Sequence, residues 1–374
     1  MPIERKVRLP ECTTQMSVCP IPFRYDTYCG CAHGCKYCFG RNLVEFSRRN
    51  CEGKSSFAYI DGNDPKGFSR WLNKIIASDT YDYNYVEKVA IKERIPLKIG
   101  TTSDPFPPME PTERITYDTL KILEEHDYPV QILTKNPCIL ADYIGDFDNP
   151  NWSIAVSLIS TDEKFIKGIE PGAPSPSERL AAIKSITDRG YHVMMKVQPA
   201  ILPKIVGDLP ELVRQGVDAG IWAFNTEGLK VRITMHDYEQ KIFQEMTPYI
   251  GYDIRSYYKR NFRRTSSDYE PQLCERMKYI EPALELAKQY NIKYFVADNG
   301  VGKVGDGPEC CGTQILRNYK IWGGCDRVKF FGCPDYCSKE LAKATYRLHY
   351  AKVGEDRRTK FGDHVKQEAD LLDF

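Results

Sequence analysis

The chain is expected to fold as an α/β protein, a partial (β/α)6 barrel of the TIM type with a cysteine-rich C-terminal extension. Two observations predict this. Short apolar runs alternate with longer helix-like runs from Phe23 to Asn225, the pattern of βαβ units and a parallel sheet. Near the C-terminus, Cys310, Cys311, Cys325, Cys333 and Cys337 fall within 28 residues, which sets that region apart. The barrel with its N-terminal extension is expected over 1–245, and a separate C-terminal region over 246–374.

The elements follow in order. Phe23 to Tyr28 reads as a strand leading into a cysteine-rich loop. Pro65 to Ser78 reads as a helix, with Phe68, Trp71, Leu72 and Ile75 on one face and Asp64 placed to cap it. Pro96 to Gly100 is a short apolar strand ending in a polar loop, and Thr112 to Glu125 is the next helix. Val130 to Thr134 and Trp152 to Leu158 are strands. Ser177 to Arg189 is a helix capped by Ser177 and ended by Gly190. Val193 to Pro199, a helix over Leu209 to Gln215, and a strand over Gly220 to Asn225 complete six units. In parallel barrels the chemistry gathers where strands end, so those loops carry the candidate site.

Bulk composition narrows the function classes. The apolar fraction is 42%, adequate for a full core, and the net charge is +1. Whole-chain charge therefore does not select a polyanionic partner; a basic surface must be local. No apolar run approaches the ~20 residues of a membrane span, and MPIERKVRLP lacks the apolar stretch of a signal peptide. A cytoplasmic location is expected. Fourteen cysteines are many for such a chain. Disulfides are disfavoured in that compartment, so the enrichment points to metal or redox chemistry.

The most informative group is Cys31, Cys35 and Cys38, spaced C-x3-C-x2-C in a glycine-containing loop. A [4Fe–4S] cube normally takes four thiolates; three leave one iron open for a substrate or cofactor. Zinc sites usually close with a second nearby pair, which is missing here. The bland alternative is a zinc knuckle or three structural thiols. The spacing, with Phe39 directly after the third cysteine, resembles the motif of the radical S-adenosylmethionine (SAM) superfamily. Further along stand Thr101-Thr102-Ser103-Asp104-Pro105-Phe106, Leu133-Thr134-Lys135, Ala155-Val156-Ser157, then Glu170-Pro171 and Ser175-Pro176-Ser177-Glu178-Arg179-Leu180. This order resembles the spore photoproduct lyase branch, often called DNA repair photolyase-like, from about Phe23 to about Leu202.

The resemblance implies a (β/α)6 partial barrel whose cluster binds SAM and cleaves it reductively to a 5′-deoxyadenosyl radical. It implies Cys31, Cys35 and Cys38 as iron ligands, with Phe39 beside them. Thr102 and Ser103 lie where the family positions the methionyl end of SAM. Ser157 would reach the ribose or carboxylate, and Lys196 could pair with the carboxylate. Arg179 would do so instead, or would pair only with Glu170. Asn225 is an adenosine-side candidate. For each of these polar strand-end residues the alternative is a hydrogen bond that tidies the barrel rim. One departure matters. True lyases of this branch carry a hydrogen-donating cysteine immediately before Thr-Ser-Asp, and here that position is Thr101. An alcohol O–H is too strong to give a hydrogen atom to a carbon radical. Cys138 is the nearest candidate substitute, with a small buried hydrophobe as its alternative reading.

In the tail, one of Cys310 and Cys311 is expected to join Cys325, Cys333 and Cys337 around an auxiliary [4Fe–4S] cluster or a zinc ion; the alternative is reduced structural thiols. The run from Arg255 to Arg264 interleaves Arg255, Lys259, Arg260, Arg263 and Arg264 with Tyr257, Tyr258 and Phe262. Cations bind phosphates and rings stack on bases, so a nucleic-acid contact is one reading. A solvated helix face with inward rings is the other. The expected function is a radical SAM enzyme, a lyase or C–H modifier acting on a nucleic acid or nucleotide in repair or modification, served by a reductant protein such as flavodoxin or ferredoxin. The alternatives are a peptide or small-metabolite substrate, or a non-catalytic metal-binding nucleic-acid protein.

Overall fold

The computed structural model describes residues 3–13, 19–41, 59–148, 150–235, 237–298, 301, 304–307, 309–323 and 335–345. An eight-stranded sheet organises them. Its parallel strands lie side by side in chain order: β1 (Phe23–Arg24), β2 (Leu97–Ile99), β3 (Val130–Thr134), β4 (Trp152–Ser157), β5 (Val193–Ala200), β6 (Ala223–Gly228) and β7 (Lys293–Val296). Glu11–Cys12 adds an antiparallel strand outside β1. The order is open, with Glu11–Cys12 at one edge and β7 at the other.

Each strand sends alternate side chains to opposite faces. On β5, Val193, Met195 and Val197 enter the main core beneath the helices, while Met194 enters a smaller cluster with Ala155, Ala223 and Phe295 on the other face. The helix side is covered by α1 (Pro65–Ile76), α2 (Ile115–Glu125), α3 (Pro137–Tyr143), α4 (Glu163–Ile169), α5 (Pro176–Thr187), α6 (Lys204–Asp218) and, after α7 (Ile254–Asn261), by α8 (Leu273–Tyr290). Each apolar side chain of leucine size buried there contributes about 1.5–3 kcal/mol. That packing fixes the strand ends, where the site is built.

Several details differ from the sequence reading. The helix expected from Thr112 is split at Arg114, whose left-handed φ of 51° separates Glu110–Glu113 from α2. α6 begins at Lys204 rather than Leu209. β6 starts at Ala223, because Gly220 (φ 89°) first ends α6. The sheet also takes in β7 from beyond residue 245, pairing Asn225 with Phe295.

The cap of α5 is Ser175, not Ser177. Ser175 accepts from the Glu178 amide at 3.3 Å, and the Glu178 carboxylate accepts from the Ser175 amide at 2.7 Å, a reciprocal box. Ser175→Ala is expected to cost about 1 kcal/mol in denaturant unfolding. Ser177→Ala should cost less, since its hydroxyl only meets that of Ser175 at 3.1 Å.

The segment after β6 forms a small cap. Val231–Arg232, Asp268–Glu270 and Arg263–Arg264 make a three-stranded antiparallel sheet. Tyr252 and Tyr258 bond the backbone of Leu202 just past β5. No described helix is long and apolar enough to cross a membrane.

Candidate functional site

The cysteine loop leaves a short strand, Tyr28–Cys29, that pairs with Asp61–Asn63. Gly34 stands at φ 64°, a left-handed turn that glycine enters without strain. Gly40 passes the β2 loop so closely that a Cβ there would lie 2.5 Å from the Thr102 carbonyl oxygen. From the other side the loop is clamped by the end of α4. The Lys36 amide donates to the Ile169 carbonyl at 2.9 Å, and the Gly172 amide donates to that of His33 at 2.9 Å. Lys36 reaches Glu245 of the cap at 2.9 Å.

Cys35 is buried, and Cys31 and Cys38 are half-buried. Burial raises the Cys31 thiol to about 12, with Asp104 adding to it, and burial raises Cys35 well above its ordinary value. Cys35 feels the charges of both Cys31 and Cys38, so the three sulfurs share one neighbourhood. Among the described residues no three His, Cys, Asp or Glu side chains converge on the spacing of a single metal ion. A cubane is a different target, since it places each ligand sulfur on a separate iron. Three soft thiols on a tightly turned loop fit that donor set. The positive charge of bound iron would favour the thiolates that burial disfavours.

The polar residues around the loop are cross-linked. Asp104 accepts from Thr134 Oγ1 at 2.8 Å and from the Lys135 amide at 2.7 Å. It also accepts from the Phe106 amide at 3.0 Å and lies 3.1 Å from His33 Nε2. Burial works against the Asp104 charge, but His33 and the amides hold it down at about 2. Asp26 accepts the Thr101 amide at 2.6 Å, the Thr102 amide at 3.1 Å and both hydroxyls. The Ser103 hydroxyl donates to the Tyr28 carbonyl. The β2 loop is thus pinned to β1 before any ligand arrives. Asp26→Ala should strand these donors and cost about 1–3 kcal/mol, measured by urea unfolding.

Arg179 is fully buried. Its guanidinium donates to the Pro174 carbonyl at 2.8 Å, the Ser157 carbonyl at 3.0 Å and Glu170 at 2.5 Å. Tyr37 donates to the same Glu170 carboxylate. Of the two roles open to Arg179, the pairing with Glu170 is the one present, and it ties the cysteine loop to α5.

No family model matches the chain. Uncharacterised proteins of Mycobacterium bovis and Mycobacterium tuberculosis are 28% identical over 221 residues, which is 57% of this chain and 60% of theirs. A spore photoproduct lyase variant superposes with a TM-score of 0.55 at 16% identity, over 79% of this chain and 80% of that one. Another, holding AdoMet and a dinucleoside spore photoproduct, gives 0.52 at 17% identity over 74% and 76%. The chain has the fold of spore photoproduct lyase.

Within this fold the remaining candidates separate. Ser157 ends β4 half-buried, and Lys196 lies buried opposite it in register on β5. Asn225 is fully buried and donates to the Cys310 carbonyl, so its amide serves the tail segment rather than standing open at the rim. Phe39 is 66% exposed. Cys138 is on α3, its thiol directed at the Glu178 carbonyl of α5 at 3.8 Å. That is the helix layer, so the nearest thiol in sequence is not on the inner face.

The tail thiols are also divided. Cys310 and Cys311 are inserted against the inner face of the sheet, while Cys337 bridges Ile321. Cys325 and Cys333 lie outside the described residues. In the basic run, Tyr258 is fully buried and Tyr257 packs against Tyr252 and Phe262 at 4.8 and 5.7 Å. The rings face inward, so stacking by Tyr258 on a base is ruled out by its burial. Arg255 is tied to Gln240 at 2.8 Å, and Arg263 pairs with Glu270 at 2.5 Å. Lys259, Arg260 and Arg264 are exposed.

The sequence reading did not single out Asp26, His33 or Tyr37. His33 and Tyr37 sit inside the motif, where spacing draws attention to the cysteines alone. Asp26 shows its role only when β1 and β2 are paired.

Proposed function

We propose that this chain is a radical SAM enzyme acting on a nucleic acid. One observation carries the reading: a loop bearing Cys31, Cys35 and Cys38 is locked over the strand ends of a parallel sheet with the spore photoproduct lyase-like fold. Cys31, Cys35 and Cys38 would hold the [4Fe–4S] cluster. When bound, cluster and SAM supply reductive sulfonium cleavage and hydrogen abstraction from an unactivated C–H. The chain supplies orientation and exclusion of water. The pinned Thr102 and Ser103 backbone, Ser157 and Lys196 are the groups available to SAM. A flavodoxin- or ferredoxin-like protein would deliver the electron. An auxiliary cluster or zinc would have to draw on Cys325, Cys333 and Cys337. Thr101, bonded to Asp26, has no weak S–H to give, so the reaction differs from dimer reversal by the usual thiol. A cytoplasmic repair or modification role accords with this chemistry.

Lys259, Arg260 and Arg264, exposed on the cap, support a phosphate-binding surface. Affinity should then fall steeply with salt, because neutralised phosphates release counterions. Reversing the three to Glu should abolish binding to single- and double-stranded DNA and RNA, leaving substrate-free SAM cleavage intact. The test is anaerobic reconstitution, reduction and SAM addition, with 5′-deoxyadenosine and nucleic-acid binding measured in parallel. Absence of 5′-deoxyadenosine overturns the enzyme assignment. Absence of any salt-dependent affinity overturns the nucleic-acid substrate in favour of a peptide or metabolite.

A further inference from the structure

The ends of β5 and β6 carry polar side chains that neither the cluster loop nor the SAM groups use. The two strands run in register from Ala223–Met194 to Thr226–Val197 and then slip. Gly228 pairs with Ala200, so Gln198 and Pro199 stand opposite Glu227 alone. A slip of this kind re-aims side chains and is common beside functional sites. Met194 and Ala223 lie on the inner face, away from the helices. Side chains alternate along a strand, so Lys196 and Gln198 on β5, and Asn225 and Glu227 on β6, follow onto that face. Gln198 stands two residues, about 6.6 Å, beyond Lys196 towards the strand end.

The slip is firmly supported from behind. Asp298, 4% exposed, accepts from the Gly228 amide at 3.0 Å and from Tyr279 Oη of α8 at 2.8 Å. A Cβ at Gly228 would lie 2.9 Å from that same Tyr279 oxygen, so the backbone beside Glu227 is held in place. Glu227 Oε1 accepts from Lys230 Nζ at 3.0 Å, and among the described residues Oε2 has no donor. Gln198 Nε2 is buried and has no hydrogen-bond partner among the described residues. Buried polar groups are paired in folded proteins. An open amide donor next to an open carboxylate oxygen points to a ligand that presents an acceptor beside a donor.

Resting on the nucleic-acid reading above, we propose that Gln198 and Glu227 bind the Watson–Crick edge of one unstacked guanine and so select the nucleotide that meets the chemistry. Guanine presents two adjacent N–H donors, on N1 and N2, beside the O6 acceptor. A carboxylate has two oxygens, each with more than one lone pair, so Glu227 takes both donors while keeping Lys230. The Gln198 amide donates to O6. Thymine and uracil flank their single N–H with two carbonyls, one of which would face the Glu227 carboxylate and be repelled. Adenine and cytosine offer N–H donors from one nitrogen only and leave a carboxylate oxygen unpaired. A base is read along this edge once it has left the stack.

The test uses the full chain, reconstituted anaerobically with SAM and left unreduced so that no strand is consumed. Short single-stranded DNA with one variable central base is titrated by fluorescence anisotropy. Central guanine should bind about tenfold tighter than adenine, cytosine or thymine, and about tenfold tighter than hypoxanthine, which lacks the N2 donor. Glu227→Gln and Gln198→Ala should each reduce the preference to about twofold, while salt-dependent affinity for the strand remains. The hypoxanthine comparison needs no variant and still decides the part of the carboxylate if a variant fails to fold. No preference for guanine, or a preference that either folded variant retains, overturns the inference and leaves the nucleic-acid reading standing. Weaker SAM binding in a variant whose base preference is intact also overturns it, since the pair then belongs to the SAM site. No salt-dependent affinity for any strand overturns the nucleic-acid reading and this inference together.

Discussion

Cys35→Ala is expected to abolish reductive SAM cleavage and to remove the SAM-responsive iron–sulfur signal from reconstituted protein. Cys35 is the most buried of the three motif thiols and feels the other two sulfurs. In the proposed cluster its loss would leave one iron without a protein ligand. His33 is already committed to Asp104 and to the Gly172 carbonyl at 3.1 Å. Because the clamp on the loop is made by backbone amides and His33, the variant should keep its fold by circular dichroism. SAM cleavage at wild-type rate would defeat the assignment of these cysteines. Any iron remaining in a variant lacking all three would report on the tail: roughly four atoms would indicate a second cubane, while zinc in its place would favour a zinc site.

Arg179→Met should produce the largest loss of stability. It removes a buried guanidinium that serves Pro174, Ser157 and Glu170 together, and leaves the Glu170 carboxylate buried with Tyr37 donating to it and His33 nearby. Breaking a buried pair from one side typically costs about 3–5 kcal/mol. The loss should depend on pH in a definite sense. Burial, partly opposed by Arg179, already raises Glu170 above the usual carboxylate range. Without the arginine it is raised further. A group whose folded pKa lies above its unfolded value destabilises the fold as pH climbs past the unfolded value, roughly 4.3 for Glu. The variant should therefore be closest to wild type in acid and furthest from it at neutral pH, in guanidinium unfolding at several pH values. A uniform penalty across pH would mean that the carboxylate has found another partner.

Much of the fold was legible because its signals are local. Strand runs such as Val130–Thr134 and Val193–Ala200 match their expected places, since β-branched and apolar residues between turn signals need no distant partner to be read. Most errors fell where a distant partner decides. The cap of α5 is an exception: Ser175-Pro176-Ser177-Glu178 is a local capping box that selects Ser175, and the choice of Ser177 passed over it. β7 is only four residues long and becomes visible as a strand by pairing with β6. Arg179 could be read as a ligand for SAM or as the partner of Glu170, and only the packed interior shows that its donors are taken.

The sequence by itself determined the cysteine motif and the parallel α/β order, because both are written in spacing: cysteine intervals along a loop, and apolar periodicity along strands and helices. Tertiary structure alone decided which polar residues stay available. It assigned Asp26, Asp104 and Arg179 to internal bonds, turned the Tyr258 ring inward, put Cys138 among the helices and brought Cys310 and Cys311 against the inner face of the sheet. The physical reason is that a buried polar group must be paired. Its partner is chosen by which strands and turns meet in space, a distance that residue order does not record.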